Sequence, residues 1–463
     1  MSHKFGIALV ALLSAASSGA PALAAQTTTQ PQTTQTQSAQ PRTITFSEAM
    51  SIALRQNGTL RQAVNAAALD TVSVRQQKMA FLPDVRFSTT GAQSYDRSPG
   101  VGSGGSSLSS LTSSMNAGVS SSYTLYNGGA NRANLRQAQL QQAAGGQDVE
   151  RTRQNVVFTV SSNFLALVEA QEQLRVRRET LASEQAQRDQ IREFVNAGRR
   201  PIADQYQAEA AVASAQLAVV QGQRDVELAK VDLIQTLQLD PRGDYNFQAP
   251  AGNTAQPAAV GSLDALLARA FERRVDLAAR QTELDAAGQG VRAAQAARLP
   301  TVSVSAGYNT SLNSSNDAGL FDQLNQRQGG SVSVGVSLPL FDRGSAAAET
   351  QRARIQQDNA RIALENQRQQ VGLEVRRAYL DFQSAQEQLR AAQAQQTAAQ
   401  QSLSATDERY RAGVGTLVEV TQARATLATA QSALVTARSN LLFQRTLVDY
   451  YVGDLDPAAV PIR

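Results

Sequence analysis

Residues 410–441 read YRAGVGTLVEVTQARATLATAQSALVTARSNL, and this stretch decides the fold. It opens with a glycine-containing turn and continues as an alanine-rich segment without proline. After the turn, residues with apolar side chains recur at alternating spacings of three and four, at Val420, Ala423, Leu427, Ala430, Leu434, Ala437 and Leu441. This heptad spacing predicts a long helix whose apolar seam lies along another helix.

The same pattern occurs earlier in the chain, where Ala197-Gly198 precedes Ala412-Gly413 by 215 residues. The earlier seam consists of Ala208, Val212, Ala215, Val219, Gly222 and Val226. The segments that run into the two turns also correspond, with Val156, Val160, Asn163, Leu167, Ala170 and Leu174 matching Val371, Val375, Ala378, Phe382, Ala385 and Leu389. The sequence therefore predicts two copies of one long helical hairpin.

Two segments ahead of each hairpin alternate between apolar and small polar residues. They predict strands at about 83–96 and 115–126 in the first copy, and at about 300–312 and 330–341 in the second. Strands of this period and length are typical of segments that cross a bilayer at a tilt. The side chains predicted to face lipid in the second copy are Val302, Val304, Tyr308, Val332, Val334, Val336 and Leu338.

The alternative interpretation of these strands is a half-buried sheet in an ordinary domain. Long helices flank each strand pair, however, and we expect no further strands that could complete a sandwich. Four strands cannot close on themselves, and open strand edges are excluded from lipid. If these strands span a membrane, several chains must share one barrel.

Residue types that support catalysis or metal binding are scarce. The chain has no cysteine, and its single histidine, His3, falls within a predicted secretory signal that combines Lys4, an apolar run and Ala22-Leu23-Ala24. We therefore expect no thiol or imidazole chemistry, no metal site, no cofactor and no enzymatic activity. Charges of both signs are interspersed, so the net charge of +4 does not indicate nucleic-acid binding.

These patterns divide the chain into six expected segments. Each repeat contains one hairpin, at 128–239 with its tip near 195–201 and at 342–453 with its tip near 410–416. The segments are a signal peptide at 1–24, a flexible leader at 25–45, the first repeat at 46–239, a linker at 240–261, the second repeat at 262–453 and a tail at 454–463.

Several short motifs stand in the same order in both copies. Leu82-Pro83 and Leu299-Pro300 lead into strands, whereas Leu125-Tyr126-Asn127-Gly128-Gly129 and Pro339-Leu340-Phe341-Asp342-x-Gly344 lead out of them. The second turn has the form Tyr410-x-x-Gly413-x-x-Thr416. With the duplication, these motifs make the chain resemble the TolC-type outer-membrane channels of efflux and secretion machines, over about residues 45–452.

This resemblance implies a mostly α-helical fold with a β-sheet membrane part. Three copies would form a homotrimer, in which a twelve-stranded β-barrel in outer-membrane lipid is continued by a twelve-helix α-barrel. It places the protein in the outer membrane of a Gram-negative-type envelope, extending into the periplasm. It also implies a passive duct, opened by a periplasmic adaptor (membrane fusion) protein and an inner-membrane transporter of a tripartite efflux pump or type I secretion system.

The resemblance further assigns roles to residues near the tips. Glu419 takes the position of an acid that narrows the aperture, and Gln422 stands where relatives carry a second acid. Tyr410 corresponds to a tip tyrosine that bonds a carboxylate, here Asp204. Without the resemblance, Glu419 and Asp204 are ordinary first-turn acids that the helix dipole favours.

One tip position departs from the family pattern. Gly415 replaces an arginine that helps to latch some relatives shut, so Arg199, Arg200 or Arg411 would have to substitute for it. The residues expected to contact the adaptor are Gly198, Arg199, Gly413, Val414, Gly415 and Thr416.

Two other functions compete with a channel. A periplasmic adaptor also contains a coiled-coil hairpin, but it carries one hairpin and β-rich flanking domains. An exported structural coiled-coil protein shares the composition rich in Gln, Ala and Ser, but the duplicated hairpin with strands of bilayer length is foreign to that class.

Overall fold

A computed structural model describes residues 42–98, 108–248, 260–313 and 328–455. The predicted signal peptide, most of the predicted leader and tail, and residues 249–259 of the linker lie outside this part. The elements within it are β1 (Arg42–Thr45), α1 (Phe46–Gln56), α2 (Gly58–Met79), β2 (Asp84–Ser98), β3 (Leu108–Asn127), α3 (Ala130–Asn196), α4 (Ile202–Leu237), β4 (Tyr245–Gln248), α5 (Leu263–Arg273), α6 (Val275–Ala296), β5 (Thr301–Asn313), β6 (Gln328–Ser337), α7 (Ser345–Arg411) and α8 (Leu417–Val452).

The two hairpins have identical dimensions. Helices α3 and α7 each contain 67 residues, and their partners α4 and α8 each contain 36. A 67-residue helix is about 100 Å long at about 1.5 Å per residue. All seven residues of the seam predicted for α8 are buried. Alternating small and large seam residues thus pack the short helix against the long one, as the heptad spacing predicts.

Polar and small residues also take part in the seam of the first hairpin. Asn163 on α3 donates a hydrogen bond from Nδ2 to Oγ1 of Thr236 on α4, at 2.7 Å. Gly222 faces Leu174 and Arg177 so closely that a Cβ there would lie 3.0 Å from the Arg177 guanidinium. Asn163 and Gly222 therefore suit two helices that pack at close range, rather than two helices held together by a broad apolar contact.

A second, shorter helix meets the end of each 36-residue helix. In the first repeat, Nδ2 of Asn57 donates to the Thr236 carbonyl at 3.4 Å, while its Oδ1 accepts from the Leu60 N–H at 3.1 Å. In the second repeat, Asp454 just beyond α8 pairs with Arg269 and Arg273 of α5. We call these two contacts the amide joint and the ionic joint. At these joints α2 takes over from α4 as the neighbour of α3, and α6 takes over from α8 as the neighbour of α7.

The four long strands form one antiparallel sheet in the order β2-β3-β5-β6. Its register pairs Val302 with Val336 and Val304 with Val334, and it places Tyr308 opposite Val119. Successive side chains alternate between faces, so all six of these side chains belong to one apolar face, together with Val332 opposite Ala306. The other face carries serine, where Ser305 Oγ and Ser333 Oγ are 2.8 Å apart.

The last predicted strand is shorter in the structure than the expected range of about 330–341, and the lipid-facing role of Leu338 stays a prediction. Strand β6 ends at Ser337, so Leu338 lies one residue beyond the ladder rather than within it. Pro339 follows, and proline has no N–H to donate to a neighbouring strand. The alternation of side chains therefore continues past the point where strand pairing stops.

The structure also contains a small sheet that the sequence did not predict. Strands β1 and β4 pair in parallel, although their residues were assigned to the flexible leader and to an aperiodic linker. Ile44 is fully buried and Phe247 is 2 % exposed, and both belong to the core cluster around Phe164. A strand of four residues with one buried side chain is too short to show a period of two.

None of the helices in the described ranges combines the length and the apolar character that crossing a membrane requires.

The small sheet supplies a test of the fold. Replacing Phe247 by Ala removes a buried ring and should lower the stability of the folded protein by about 3 kcal/mol. Thermal unfolding followed by circular dichroism should show a lower midpoint for this variant. Asn246→Ala, on the exposed side of the same strand, is the matched control and should unfold like the wild type. Equal midpoints for the two variants would mean that the β1–β4 sheet contributes little to the fold.

Candidate functional site: the hairpin tips

The two turns between long and short helices are built in the same way. Gly198 and Gly413 have φ values of +70° and +79°, a left-handed conformation that only glycine adopts without strain. In each turn the following N–H reaches back over the helix end, from Arg199 to the Phe194 carbonyl and from Val414 to the Arg409 carbonyl. This is the Schellman pattern of helix termination. Both tips are therefore fixed by local backbone hydrogen bonds.

The second turn also leaves little space for a side chain at position 415. A Cβ on Gly415 would lie 3.0 Å from the Tyr410 backbone nitrogen and 3.2 Å from the Arg409 carbonyl carbon. An arginine therefore cannot replace Gly415 unless the turn moves. The next residue, Thr416, begins α8 as its cap, because its Oγ1 accepts a hydrogen bond from the Glu419 N–H at 3.2 Å.

A small apolar cluster joins the two tips within one chain. It consists of Ile191, Ala208, Tyr410, Leu417 and Val420, which come from all four hairpin helices. Ile191 and Val420 are fully buried, and Tyr410 is only 3 % exposed. The tips of the two hairpins thus share one core rather than standing apart.

Tyr410 does not form the predicted hydrogen bond with Asp204. Its hydroxyl is buried and has no hydrogen-bond partner among the described residues. The Arg200 guanidinium lies over the ring instead, 4.2 Å from the centroid, in a cation–π contact. Burial raises the pKa of the Tyr410 hydroxyl, with a smaller opposing effect of Arg200 and a further increase from the Asp204 charge. Of the three arginines considered as substitutes for the latch, Arg200 is the one that contacts Tyr410.

Glu419 and Gln422 lie on the same exposed face of α8, three residues apart. The Glu419 carboxylate is 3.8 Å from Nη1 of Arg409, at the end of α7. Both partners are more than two-fifths exposed, so this ion pair stabilises the tip only weakly.

The outer surface of the tips is apolar to an unusual degree. Ile202, Tyr206, Val414 and Val418 are each more than half exposed. They lie beside the predicted adaptor-contact positions of both turns. Exposed apolar groups of this density on a polar helical surface indicate a contact surface.

Contacts between the two hairpins include one residue that sequence reasoning missed. Arg424 of α8 donates from Nη1 to Ser183 Oγ at 2.7 Å and to the Ser183 carbonyl at 3.1 Å, and from Nη2 to Gln187 Oε1 at 2.8 Å. No signal in the sequence singles it out, because one arginine in a polar helix does not reveal its partner on a distant segment.

Comparison with known proteins supplies the identity of the fold. The family described as outer membrane efflux protein matches residues 14–237 and 266–450, which is most of the chain. The chain belongs to this family. The resemblance to TolC-type channels that the motifs carry is thereby confirmed. In the described residues, no group of three or more metal-ligating side chains could hold an ion.

Two curated members of the family match over about two thirds of this chain. The outer membrane efflux protein BepC of Brucella suis is 22 % identical over 67 % of this chain and 64 % of its own length. Protein CyaE of Bordetella pertussis is 27 % identical over 67 % of this chain and 63 % of its own. The matched segment thus spans less than two thirds of either relative.

The family fold is also seen in solved structures. The outer membrane protein VceC of Vibrio cholerae superposes with a TM-score of 0.75, covering 88 % of this chain and 96 % of that one, at 19 % identity. At this identity the likeness shows the fold alone. Family members and structural neighbours are channel proteins rather than enzymes.

The buried position of Tyr410 leads to a prediction about stability and conductance, since the chain belongs to a family of channel proteins. Tyr410→Phe removes a buried hydroxyl that has no partner among the described residues, so it should not lower the stability and should leave the resting conductance unchanged. Tyr410→Ala empties the apolar cluster, costs about 3 kcal/mol locally, and should raise the conductance. Single-channel recordings in planar bilayers would measure both. A large increase with Tyr410→Phe would indicate that the hydroxyl is bonded in the assembled protein.

Proposed function

We propose that the protein is the outer-membrane channel of a tripartite efflux pump or of a type I secretion system. It acts as a passive homotrimeric duct, extends into the periplasm, and opens when a periplasmic adaptor and an inner-membrane transporter engage its tips. The observation that carries this proposal concerns the edges of the described structure. The sheet of a single chain has two open edges, and its layer of hairpin helices also has two.

The open edges of the sheet are β2 and β6, which have one neighbour each in the described part of the chain. The apolar face that holds Val302, Val304, Val332, Val334 and Val336 is suited to lipid, yet unpaired strand edges are excluded from hydrocarbon. Pairing β6 of one copy with β2 of the next removes every edge. Three copies then supply a closed barrel of twelve strands, above the roughly eight that a small barrel needs.

The helical part has two matching edges. Its helices lie in the order α4-α3-α8-α7, so α4 and α7 each have one side without a neighbour in the part of the chain that the structure describes. On these helices large apolar side chains recur at heptad-like spacings and are about half exposed or more, namely Leu217, Val220, Leu228 and Val231 on α4 and Ile355, Ile362, Leu373 and Leu380 on α7. We call them the α4 stripe and the α7 stripe.

Each stripe is therefore the complement of the other on a neighbouring copy. A contact between two different surfaces repeats head to tail, and it closes into a ring when the rotation between copies allows. The rotation that relates neighbouring copies must close the sheet and the helical layer together, because a link of two residues joins β3 to α3. A threefold ring satisfies both parts, with four strands and four hairpin helices from each copy.

The tips supply the remaining parts of the mechanism. Ile202, Tyr206, Val414 and Val418 form an apolar surface that fits a partner protein, here the adaptor hairpin. Glu419 would stand near the threefold axis as one acidic ring, with Gln422 as a neutral second ring. Such a ring attracts cations and repels anions in a narrow pore. The transporter supplies the energy and selects the cargo.

The two competing functions lose support from the fold. A single-hairpin adaptor does not explain two equal hairpins with a four-stranded sheet between helices. An exported filament protein does not explain membership of the outer membrane efflux protein family.

The stripes give a direct test of the trimer. Leu228→Glu/Val231→Glu places two charges in the α4 stripe, where burial without a partner costs several kcal/mol. Extracted in mild detergent and weighed by light scattering, this variant should be a single subunit, whereas the wild type should have the mass of three. Gln223→Glu, on an exposed flank of α4, is the matched control and should stay trimeric. Trimers of the double variant would remove the α4 stripe from the interface.

The acid ring gives a test of the pore. Glu419→Gln should reduce the preference for cations, measured as the reversal potential across a bilayer with a potassium chloride gradient. Glu387→Gln removes an exposed acid of the same hairpin far from the tip, and its selectivity should equal that of the wild type. If Glu419→Gln were as selective as the wild type, Glu419 would not line the aperture.

A further inference from the structure

A cavity lies where the first hairpin meets the long-stranded sheet, at the opposite end of the hairpin from its tip. Its volume is about 700 Å³, and residues of α3, of α6 and of the link between β3 and α3 line it. The residues that matter for its chemistry are Gly128, Gly129, Arg132, Arg136 and Arg292. Among the described residues its wall contains three arginines and no carboxylate, and we call it the arginine cavity.

The three arginines of the cavity have no ion pair among the described residues. Arg132 and Arg136 are four residues apart on α3, so their like charges share one face of the helix and repel each other. Arg292 of α6 donates from Nη1 to the amide oxygen of Gln289 in its own helix, at 3.3 Å. Asp285 lies in the wall of a second cavity that shares Arg136 and Arg292, but it pairs with none of the three arginines. An anion from outside the chain would relieve this repulsion.

The excess of positive charge extends over the ends of three helices at this level. Residues 74–82, 128–140 and 288–299 contain no aspartate or glutamate, although the whole chain has 39 acidic residues against 43 lysines and arginines. The basic residues of these segments are Arg75, Lys78, Arg132, Arg136, Arg292 and Arg298. A surface with charges of one sign attracts ligands of the opposite sign.

The start of the long helix differs between the two repeats in the same sense. In the second repeat the Asp342 carboxylate accepts hydrogen bonds from the N–H groups of Gly344, at 3.0 Å, and Ala346, at 2.7 Å. The residue 215 positions earlier is the neutral Asn127, whose Oδ1 accepts from the Asn131 N–H at 3.2 Å. A helix N-terminus favours a negative charge. The second repeat supplies that charge from its own chain, and the first does not.

The arginines are also specific to the first repeat. Arg132 and Arg136 correspond to Ala347 and Gln351 in the second copy. The repeat that lacks an acid at its helix start thus carries two arginines in the first two turns of that helix. This combination of guanidinium groups and a helix N-terminus suits a phosphate group.

The cavity lies next to the end of the sheet that we propose to span the membrane. The apolar face of the sheet continues to the end of its ladder, where Val302 pairs with Val336. Strongly exposed apolar residues follow at the same level, since Leu340 is 91 % and Phe341 is 87 % exposed. Aromatic side chains of this kind flank the apolar band of membrane barrels. The boundary of the hydrocarbon layer is therefore expected at the ends of these strands.

The distance from this boundary fits the polar layer of a bilayer. Strand β3 ends at Asn127, so Arg132 and Arg136 lie about 7 and 13 Å further on, at 1.5 Å per residue. Helical side chains tilt towards the N-terminus, which for α3 is the direction of the membrane. Both guanidinium groups can therefore reach the headgroups, which occupy roughly 5–8 Å beyond the hydrocarbon on each side.

We propose that the arginine cavity binds the phosphate of an anionic phospholipid in the periplasmic leaflet of the outer membrane. The proposal rests on the channel function for the position of the membrane and deepens it by naming a lipid site. Guanidinium groups pair with phosphate oxygens through two parallel hydrogen bonds. A headgroup that also carries a cation, such as choline, is repelled by the same arginines. The acyl chains of the bound lipid lie against the apolar face of the sheet.

The experiment counts lipids on the full-length protein. The protein is extracted in mild detergent, freed of lipid, and mixed with equal amounts of phosphatidylglycerol and phosphatidylcholine, and native mass spectrometry then counts the lipids retained per subunit. The wild type should prefer phosphatidylglycerol about tenfold, since each arginine near the membrane surface adds to the attraction. Arg132→Gln/Arg136→Gln/Arg292→Gln should retain the two lipids equally.

A variant with the same loss of charge is the matched control. Arg153, Arg175 and Arg390 are exposed and pair with glutamates of their own helices, away from the cavity. Arg153→Gln/Arg175→Gln/Arg390→Gln should keep the preference of the wild type.

A single substitution keeps the test decisive if the triple cavity variant does not fold. Arg136→Gln changes an exposed residue that lines both cavities, and it should lower the preference about threefold. A preference unchanged by Arg136→Gln would then overturn the proposal.

The other outcomes distinguish this proposal from its alternatives. Equal retention of the two lipids by the wild type overturns it, and so does a control variant that loses the preference as completely as the cavity variant. Inorganic phosphate, titrated calorimetrically into the lipid-free protein, should bind far more weakly than phosphatidylglycerol because it has no acyl chains. Equal affinities would assign the cavity to soluble anions instead. The lipid count requires no pore, so its failure leaves the channel function standing, whereas a wild type without conductance in planar bilayers contradicts that function.

Discussion

The seam between a 67-residue helix and a 36-residue helix is the interaction on which this structure depends. Alanine or glycine stands at about every second seam position, so the two backbones approach closely and each pair buries little apolar area. Such a hairpin gains further stability from neighbours on its flanks. The long helix is therefore paired twice, first with the short hairpin partner and then with the helix stacked on its end.

Three kinds of contact hold the four hairpin helices, and they differ in how readily they separate. Within each hairpin the seam is apolar, and parting it would expose buried alanine, valine and leucine to water. Between the hairpins the middle of the contact is polar, from Gln173 to Arg424. At the outer edges the α4 and α7 stripes have no partner among the described residues of the chain. Separating the hairpins at this polar part of their contact would thus expose less apolar surface than parting the seam within a hairpin.

Much of this arrangement could be predicted from spacing alone. The heptads locate all four hairpin helices, because the six or seven seam positions of each helix indicate which faces meet. The valines of β5 and β6 likewise fall on one face, as strict alternation requires. The small β1–β4 sheet could not be predicted, because Ile44 and Phe247 are buried by tertiary packing of segments too short to show a period.

The candidate site was predictable only in part. The roles of glycine and threonine at the turns can be predicted from the local sequence, because glycine adopts the left-handed backbone and threonine caps the following helix. Pairings between distant segments are not encoded in local spacing. Tyr410 faces Arg200 rather than bonding Asp204, and Arg424 reaches a different hairpin, because both outcomes depend on how the two hairpins are set against each other.

The two repeats solve one architectural problem with different chemistry. The amide joint of the first repeat uses neutral groups, Asn57 and the Thr236 carbonyl, whereas the ionic joint of the second uses Asp454 with two arginines. Dissolved salt screens charges but leaves neutral hydrogen bonds nearly untouched. A duplicated chain has in this way acquired unequal halves, and a change of ionic strength acts on the joint of the second repeat more strongly than on the joint of the first.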